Sequence, residues 1–154
     1  MTLAISVQYV SAAKHLPIRA QVRRWALAAH RDGDRDGQVT IRYVDEIEGR
    51  TLNRDFRGKD YATNVLTFVQ DGPPFQTNTT RSYSADIVIC APVIAREARE
   101  QKKPVAAHHG HMVIHGMLHA QGFDHGKDCD ASAMEAIEIA ALRRFRIKNP
   151  YESE

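Results

Sequence analysis

Most histidines of this sequence lie in one short stretch, residues 108–125. Six of the eight histidines fall there, and His115 and His119 are four residues apart with no proline between them. On an α-helix this spacing places two imidazoles on the same face, one turn apart. Imidazole nitrogens are common zinc ligands. Two histidines at this spacing are more often surface residues or buried, hydrogen-bonded residues than ligands, so the prediction of a metal site depends on a third histidine.

Gly122 stands where this helix should stop, because glycine adopts the left-handed conformation that ends helices without steric cost. The chain can then turn back and bring His125 towards the same point. The spacing H-x3-H-x2-G-x2-H thus predicts three metal ligands: His115, His119 and His125. Three protein ligands leave the fourth position of a tetrahedral zinc open, which is typical of a catalytic site.

The residue after the first ligand distinguishes this sequence from zinc proteases with the same histidine spacing. Those enzymes carry a glutamate there as general base, whereas this chain has Gly116. A glycine inside a helix costs about 1 kcal/mol relative to alanine, so we expect Gly116 to serve close packing or to leave room for a substrate. The metal site remains predicted, while peptidase activity is disfavoured.

The other residues of the stretch are expected to lie outside the ligand set. His111 is one helical turn before His115, and we expect it either to support the metal ligands from behind or to line the pocket beside the metal. His108 and His109 are expected to be mostly exposed to solvent. His111 and Asp124 are both candidates for the general base, and the sequence favours neither.

Length and composition are typical of one soluble globular domain. The chain has 154 residues, 43% hydrophobic and 26% charged, which is enough for a core without disulfides. The net charge is +2, so binding to a polyanion would need a local basic patch. Cys90 and Cys129 form no CxxC pair, and no apolar run reaches membrane-spanning length. We therefore expect a cytoplasmic protein.

The periodicity of apolar residues predicts the elements that position the histidines. Strands are predicted at 3–10, 39–44, 64–69 and 86–90, the last one central because it is almost wholly apolar. Helices are predicted at 17–30, 45–57, 92–102, from 104 and from 130. Asp45 and Glu48 form a D-x-x-E capping pattern at the second helix. Together these elements predict a single α+β domain with a four-stranded mixed sheet, about five helices and a zincin-like metal helix.

Twelve apolar residues on the inward stripes of these elements are expected to form the core: Val7, Val22, Trp25, Ile41, Val65, Leu66, Ile87, Ile89, Ile114, Leu118, Ile137 and Leu142. A different segment, DGDRDG at 32–37, is similar to the start of a calcium-binding loop. Its twelfth position is Tyr43, so the bidentate acid that such loops need is missing. We predict that this turn binds no calcium tightly.

Four stretches of the sequence resemble the YbeY family, bacterial endoribonucleases of ribosomal RNA maturation. They are HMVIHGMLHAQGFDH (111–125), LNRDFRGKDYATNVLTF (52–68), ADIVIC (85–90) and DASAMEAIEIAALRRFRIKNPY (130–151). The sequence departs from the family at Ala120 and Phe123, where a larger aliphatic residue and a tyrosine are usual. Residues 70–83 carry no family signature. None of these departures affects a predicted ligand.

The resemblance implies one zinc ion per chain, bound by His115, His119 and His125. It also implies that Arg57 handles phosphate, and that Arg57 and His115 are catalytic. The implied function is a single-strand-specific endoribonuclease in 16S rRNA 3′-end maturation and ribosome quality control. The implied partners are ribosomal RNA, the small ribosomal subunit, and ribosomal proteins or a ribosome-associated GTPase, with no membrane.

The sequence leaves several alternatives open. The protein could instead be a ribosome-assembly RNA-binding protein with a mainly structural zinc, or a zinc hydrolase of another substrate class. Arg57 could form a surface ion pair with Asp55 or Asp60 in place of binding phosphate. Three imidazoles also suit nickel or copper, and either a water or a ribose 2′-hydroxyl could attack the phosphorus.

Overall fold

The computed structural model describes residues 3–31, 36–70, 82–123 and 128–152, and only the backbone at 128–130. The turn at 32–35, most of the loop at 70–83, and the candidate site residues Asp124 and His125 lie outside these ranges. The described elements are, in chain order, β1 Leu3–Tyr9, α1 Arg19–Ala29, β2 Gly37–Val44, α2 Glu46–Arg57, β3 Val65–Gln70, β4 Tyr83–Cys90, α3 Ala91–Glu100, α4 Val105–Ala120 and α5 Asp128–Arg143. None of these helices is long and apolar enough to cross a membrane.

The four strands form one mixed sheet in the order β1-β2-β4-β3. β1 and β4 both run parallel to β2, whereas β3 runs antiparallel to β4. Ile87 at the middle of β4 is in register with Ile41 of β2 on one side and Thr67 of β3 on the other. The predicted α+β fold class is confirmed, and β4 is an inner strand as its apolar sequence indicates.

Alternating side chains of β4 enter two apolar clusters, one on each face of the sheet. Ile87 and Ile89 belong to the larger cluster together with residues of α1, α4 and α5. Val88 and Cys90 belong to the smaller cluster, against which Leu52 of α2 packs. This two-residue alternation is the geometry of a strand that is covered on both faces. The histidine helix thus lies on one face of the sheet, and α2 lies on the other.

The predicted core is largely correct. Ten of the twelve predicted residues are buried. The exceptions, Val65 and Ile137, are partly buried and pack against the larger cluster. Val65 begins β3 at an edge of the sheet, where fewer neighbours can cover a side chain.

Gly116 brings α4 into direct contact with the sheet. A Cβ atom at this position would lie 2.8 Å from Cγ2 of Ile87, which is closer than two carbon atoms normally approach. Of the two roles expected for Gly116, the structure therefore supports close packing. This approach fixes the depth of the helix on β4, and with it the height of the histidines above the sheet.

The expectation that His108 and His109 are exposed is wrong, since each is only 2% exposed. His108 Nε2 lies 2.8 Å from Oε1 of Glu97, and the ring of His109 meets Tyr43 edge to face with centroids 5.5 Å apart. Burial lowers the pKa of both imidazoles, to about 4 for His109. A neutral imidazole costs far less to bury than a charged one, so these histidines can serve as core residues.

The start of α2 also differs in detail from the prediction. The helix begins after Asp45 as expected, but the Asp45 side chain makes no capping hydrogen bond. Its carboxylate instead accepts hydrogen bonds from the hydroxyl of Ser11 and the backbone N–H of Ala12. Glu48 pairs with Arg42 at 2.6 Å. Both acids of the pattern therefore tie α2 to neighbouring segments and do not form a capping box.

Candidate metal centre

α4 ends in a left-handed turn shortly after its last histidine. Gly122 has a φ of 99°, a conformation that favours glycine. Its N–H donates to the carbonyl of His119 at 3.0 Å, and the N–H of Phe123 donates to the carbonyl of Leu118 at 3.0 Å. These two hydrogen bonds form a Schellman motif. The predicted glycine stop is therefore confirmed, and His125 lies among residues 124–127, which are outside the described ranges.

His115 and His119 point one ring nitrogen each at the same place. Their Nε2 atoms are 3.1 Å apart, and their rings are nearly perpendicular at 77°. Two nitrogens bound to one tetrahedral zinc at 2.0–2.1 Å are roughly 3.3 Å apart. The separation therefore fits two ligands of a single metal ion, as the four-residue spacing predicts.

Glu138 of α5 holds the other side of the His115 ring. This carboxylate is completely buried, and its Oε1 lies 2.5 Å from Nδ1 of His115. A hydrogen bond donated by Nδ1–H leaves the Nε2 lone pair of His115 directed at His119. A carboxylate behind a ligating histidine is a frequent feature of protein metal sites, where it fixes the tautomer and the ring orientation.

The Glu138 carboxylate is ionised at neutral pH. Burial alone would raise its pKa, but hydrogen bonds from His111, His115 and Tyr151 outweigh burial and hold the pKa at about 2. A buried negative charge is tolerated only with such partners. The same charge would favour a cation bound on the far side of the His115 ring.

His111 and Tyr151 complete the network around Glu138. His111 Nε2 lies 3.3 Å from Oε2 of Glu138 and 3.2 Å from the hydroxyl of Tyr151. The Tyr151 hydroxyl donates to the same carboxylate oxygen, and burial together with that negative charge raises the pKa of Tyr151. His111 is thus a buried residue beside the predicted ligands, as expected, and it connects them to the segment after α5.

Two sets of donor atoms could hold a metal ion in the described part of the chain. The first is the facing Nε2 pair of His115 and His119. The second is His111, His115 and Glu138, whose donor atoms lie within 4.8 Å of one another. In the second set, the 2.5 Å contact between His115 and Glu138 is a hydrogen-bond distance, too short for two atoms that share one zinc at about 2 Å each. The observed geometry therefore favours the first set, with Glu138 behind it.

Glu138 is a site residue that the sequence motifs do not indicate. One signal does exist in the sequence: Glu138 is an acid between Met134 and Leu142 on the stripe of α5 that faces the core. Asp and Glu are seldom fully buried unless they are paired, so an acid on a core stripe points to a partner. The partner, His115, is 23 residues away and is identified only by the packing of α5 against α4.

Arg57 lies on the same cavity as the histidine pair. The cavity has a volume of about 700 Å³ and is lined by residues of the end of α2, strand β3 and α4, among them Arg57, Thr67, His115 and His119. Gly58, with a φ of 71°, ends α2 directly after Arg57. The structure therefore brings three of the four predicted site residues together, and the fourth, His125, is outside the described ranges.

The ion pairs proposed as an alternative for Arg57 are formed by other arginines. Asp55 accepts from Arg54 at 3.2 Å, and Asp60 accepts from Arg50 at 2.8 Å. Within the described ranges no carboxylate pairs with Arg57. Its guanidinium is therefore available to an anionic ligand in the cavity.

Comparison with known proteins identifies the relatives of this chain. The model of a family described as endoribonuclease YbeY matches residues 7–146. The endoribonuclease YbeY of Aromatoleum aromaticum is 49% identical over 97% of this chain and 92% of that protein. The endoribonuclease YbeY of Thiobacillus denitrificans is 48% identical over 98% and 97% of the two chains. The solution structure of a Thermotoga maritima protein has a similar fold, with a TM-score of 0.54, 22% identity and 97% coverage of both chains.

Proposed function

We propose, because this chain belongs to the endoribonuclease YbeY family, that it is a metal-dependent endoribonuclease that cleaves single-stranded RNA. The observation that carries the proposal is the facing Nε2 pair of His115 and His119, 3.1 Å apart, on a cavity that Arg57 also lines. Phosphodiester cleavage uses two groups of this kind, nitrogen ligands for a metal and a guanidinium, and that of Arg57 has no carboxylate partner among the described residues. The relatives that carry the name endoribonuclease match nearly the whole chain.

The metal would be one zinc ion per chain, held by His115 and His119, with His125 as the third ligand. Bound by these residues, the metal would supply Lewis-acid chemistry for phosphodiester cleavage, which includes polarising a phosphoryl oxygen and activating a water. Glu138 keeps the Nε2 lone pair of His115 directed into the cavity, as its hydrogen bond to Nδ1 requires. His115 would in this sense be both ligand and catalytic residue, because the direction of its Nε2 lone pair would help to set where the metal lies.

Arg57 would bind the scissile phosphate. A planar guanidinium can donate two parallel hydrogen bonds to phosphate oxygens. Because no described carboxylate neutralises Arg57, its full charge is available to oxygens that become more negative during cleavage. A preorganised charge of this kind contributes more to the transition state than to substrate binding.

The cellular role that fits this chemistry is the maturation of the 16S rRNA 3′ end, together with ribosome quality control. The partners would be ribosomal RNA and the small ribosomal subunit in the cytoplasm, with ribosomal proteins or a ribosome-associated GTPase as further contacts. Support for this role comes from the resemblance of the histidine and Arg57 stretches to the family. Gly116, in place of a catalytic glutamate, supports a nuclease over a zinc peptidase.

The test is cleavage of a small-subunit RNA precursor with an unprocessed 3′ end. Zinc-loaded wild-type protein should cut it in its unpaired segments, while chelator-treated protein and His119→Ala should not. His15→Ala is a matched control, because His15 is exposed and does not line the cavity. Binding without cleavage by zinc-loaded protein would indicate an assembly factor with a structural metal. Full cleavage by metal-free His119→Ala would refute the metal mechanism.

A further inference from the structure

An aromatic side chain is exposed directly beside Arg57. Phe56, in the last turn of α2, is 67% exposed, although burying a phenylalanine side chain normally stabilises a fold. Single exposed apolar residues are common, so exposure alone indicates nothing. Phe56 also contacts Phe68 of β3, with ring centroids 5.2 Å apart and an interplanar angle of 66°. This edge-to-face contact is a favoured geometry that holds the Phe56 ring in place while most of it remains accessible.

Both rings line the cavity that contains the predicted site. Phe56 and Phe68 share this cavity with Arg57 and with the histidine pair of α4. Ile47, at the other end of α2, is even more exposed at 86%, but it does not line the cavity. Ile47 and Phe56 are thus both exposed on the same helix, but only Phe56 lies beside the candidate site residues.

The composition of the cavity favours a ligand with both a negative charge and a flat apolar face. Arg57 has no carboxylate partner within the described ranges, so an apolar protein segment in the cavity would leave its charge uncompensated. A nucleotide fits this composition, because its phosphate can bind the guanidinium while its base stacks on an aromatic ring. Proteins commonly hold unpaired bases by such stacking.

We infer that Phe56, supported by Phe68, stacks against the base of a nucleotide adjacent to the scissile phosphate. This inference rests on the proposed function and names the feature of the substrate that the site selects. Bases in a duplex are already stacked on both sides and must be unstacked to reach a side chain. Phe56 is therefore a specificity residue that favours unpaired RNA, separate from the metal ligands and from Arg57.

The experiment uses a short single-stranded RNA with one cleavage site, and a series in which each flanking nucleotide in turn is abasic. Wild type is compared with Phe56→Ala, Phe56→Trp and Phe68→Ala, with Ile47→Ala as the exposed apolar control on the same helix. Single-turnover cleavage gives the half-saturating concentration and the maximal rate separately. Quenching of 2-aminopurine placed beside the cleavage site reports stacking without requiring cleavage.

Phe56→Ala should raise the half-saturating concentration for intact RNA by about tenfold, the size of losing one base–aromatic stack, with a smaller change in maximal rate. RNA that is abasic at the contacted position should bind wild type and Phe56→Ala equally. Phe56→Trp should restore binding and quenching, and Phe68→Ala should weaken both partly. Ile47→Ala should behave as wild type.

Three results would overturn the inference. Phe56→Ala could bind intact RNA as wild type does, it could weaken intact and abasic RNA equally, or it could change only the oligomeric state. The last result would make Phe56 part of a protein interface. If wild type cleaves RNA in any of these cases, the proposed function stands and only the stacking role fails. If zinc-loaded wild type neither binds nor cleaves RNA, both fail together.

Discussion

The two halves of α4 use the same residue type for opposite purposes. Near its start His108 pairs with Glu97 at 2.8 Å, and near its end His115 pairs with Glu138 at 2.5 Å. Each pair joins an imidazole to a carboxylate of a neighbouring helix. By residue type and first contact alone, the two arrangements are equivalent.

The second ring nitrogen separates them. Nδ1 of His108 is buried with no hydrogen-bond partner in the described ranges, whereas Nε2 of His115 faces Nε2 of His119. Access differs as well, since the side chain of His108 is 3% exposed and that of His115 is 19% exposed. A histidine–carboxylate pair therefore becomes a candidate metal centre only where the other nitrogen converges with a second ligand on an open cavity.

The largest effect should come from removing one of the two histidine side chains in the second half of α4, where the rings of His115 and His119 face the cavity. His115→Ala or His119→Ala should abolish stoichiometric zinc binding and reduce RNA cleavage by about a thousandfold or more, since the Lewis acid is lost. The fold of His119→Ala should persist because most of the core lies elsewhere, whereas His115→Ala should also lower the stability, because the buried Glu138 carboxylate loses a hydrogen-bond partner. Zinc per chain, cleavage and circular dichroism measure the three quantities. His108→Ala is the control in the first half of α4, where the histidine is buried. Loss of zinc from that variant would refute the view that only the second half of α4 holds metal ligands.

Replacing Arg57 should affect catalysis without affecting the metal. Arg57→Ala should retain zinc and fold but cleave RNA roughly a hundredfold more slowly, the size expected for losing a preorganised charge. RNA affinity should fall less, because other cations still contact the backbone. Arg57→Lys should also be impaired, since an ammonium lacks the planar fork. A variant with normal single-turnover rates would exclude Arg57 from the reaction.

Glu138→Gln tests the carboxylate behind His115. Loss of the charge should weaken zinc binding by about ten- to a hundredfold, as for other carboxylates that orient a ligating histidine. A chelator competition measures this directly, and saturating zinc should recover part of the cleavage activity. Glu97→Gln alters the carboxylate of α3 that pairs with His108, and this change should leave zinc affinity unchanged. Equal loss in both variants would mean that the effect is on folding, not on ligand orientation.

Replacing His109 should have the smallest effect on function of these changes. It should, however, change how the stability depends on pH. Its pKa is held at about 4, below the reference value of 6.5, so the folded state resists protonation. His109 therefore costs no stability above pH 6.5 and destabilises the fold as pH falls from about 6.5 to about 4, by up to about 3 kcal/mol. His109→Phe, which cannot titrate, should show a flatter acid limb in the free energy of unfolding, with unchanged zinc content. An identical pH dependence in the two proteins would contradict the assignment of His109 to the core.

The sequence by itself determined the features that depend on neighbouring residues. The four-residue spacing placed His115 and His119 on one face, and Gly122 ended the helix, because helical periodicity and the tolerance of glycine for positive φ are local properties. Apolar periodicity, together with the helix start signals at Asp45, Pro92 and Pro104, located the described strands and helices to within a few residues. The resemblance of the histidine and Arg57 stretches to the YbeY family also came from the sequence, and the family comparison confirms it.

Only the tertiary structure decided which side chains share an environment. Glu138 reaches His115 because α5 packs on α4, and His109 is buried because α4 lies against the strand that carries Tyr43. Neither fact follows from periodicity, since a helix with histidines on several faces does not specify which faces its neighbours will cover. Burial and long-range pairing depend on how elements pack against one another, so the same residue type is a core residue in one half of α4 and a candidate metal ligand in the other.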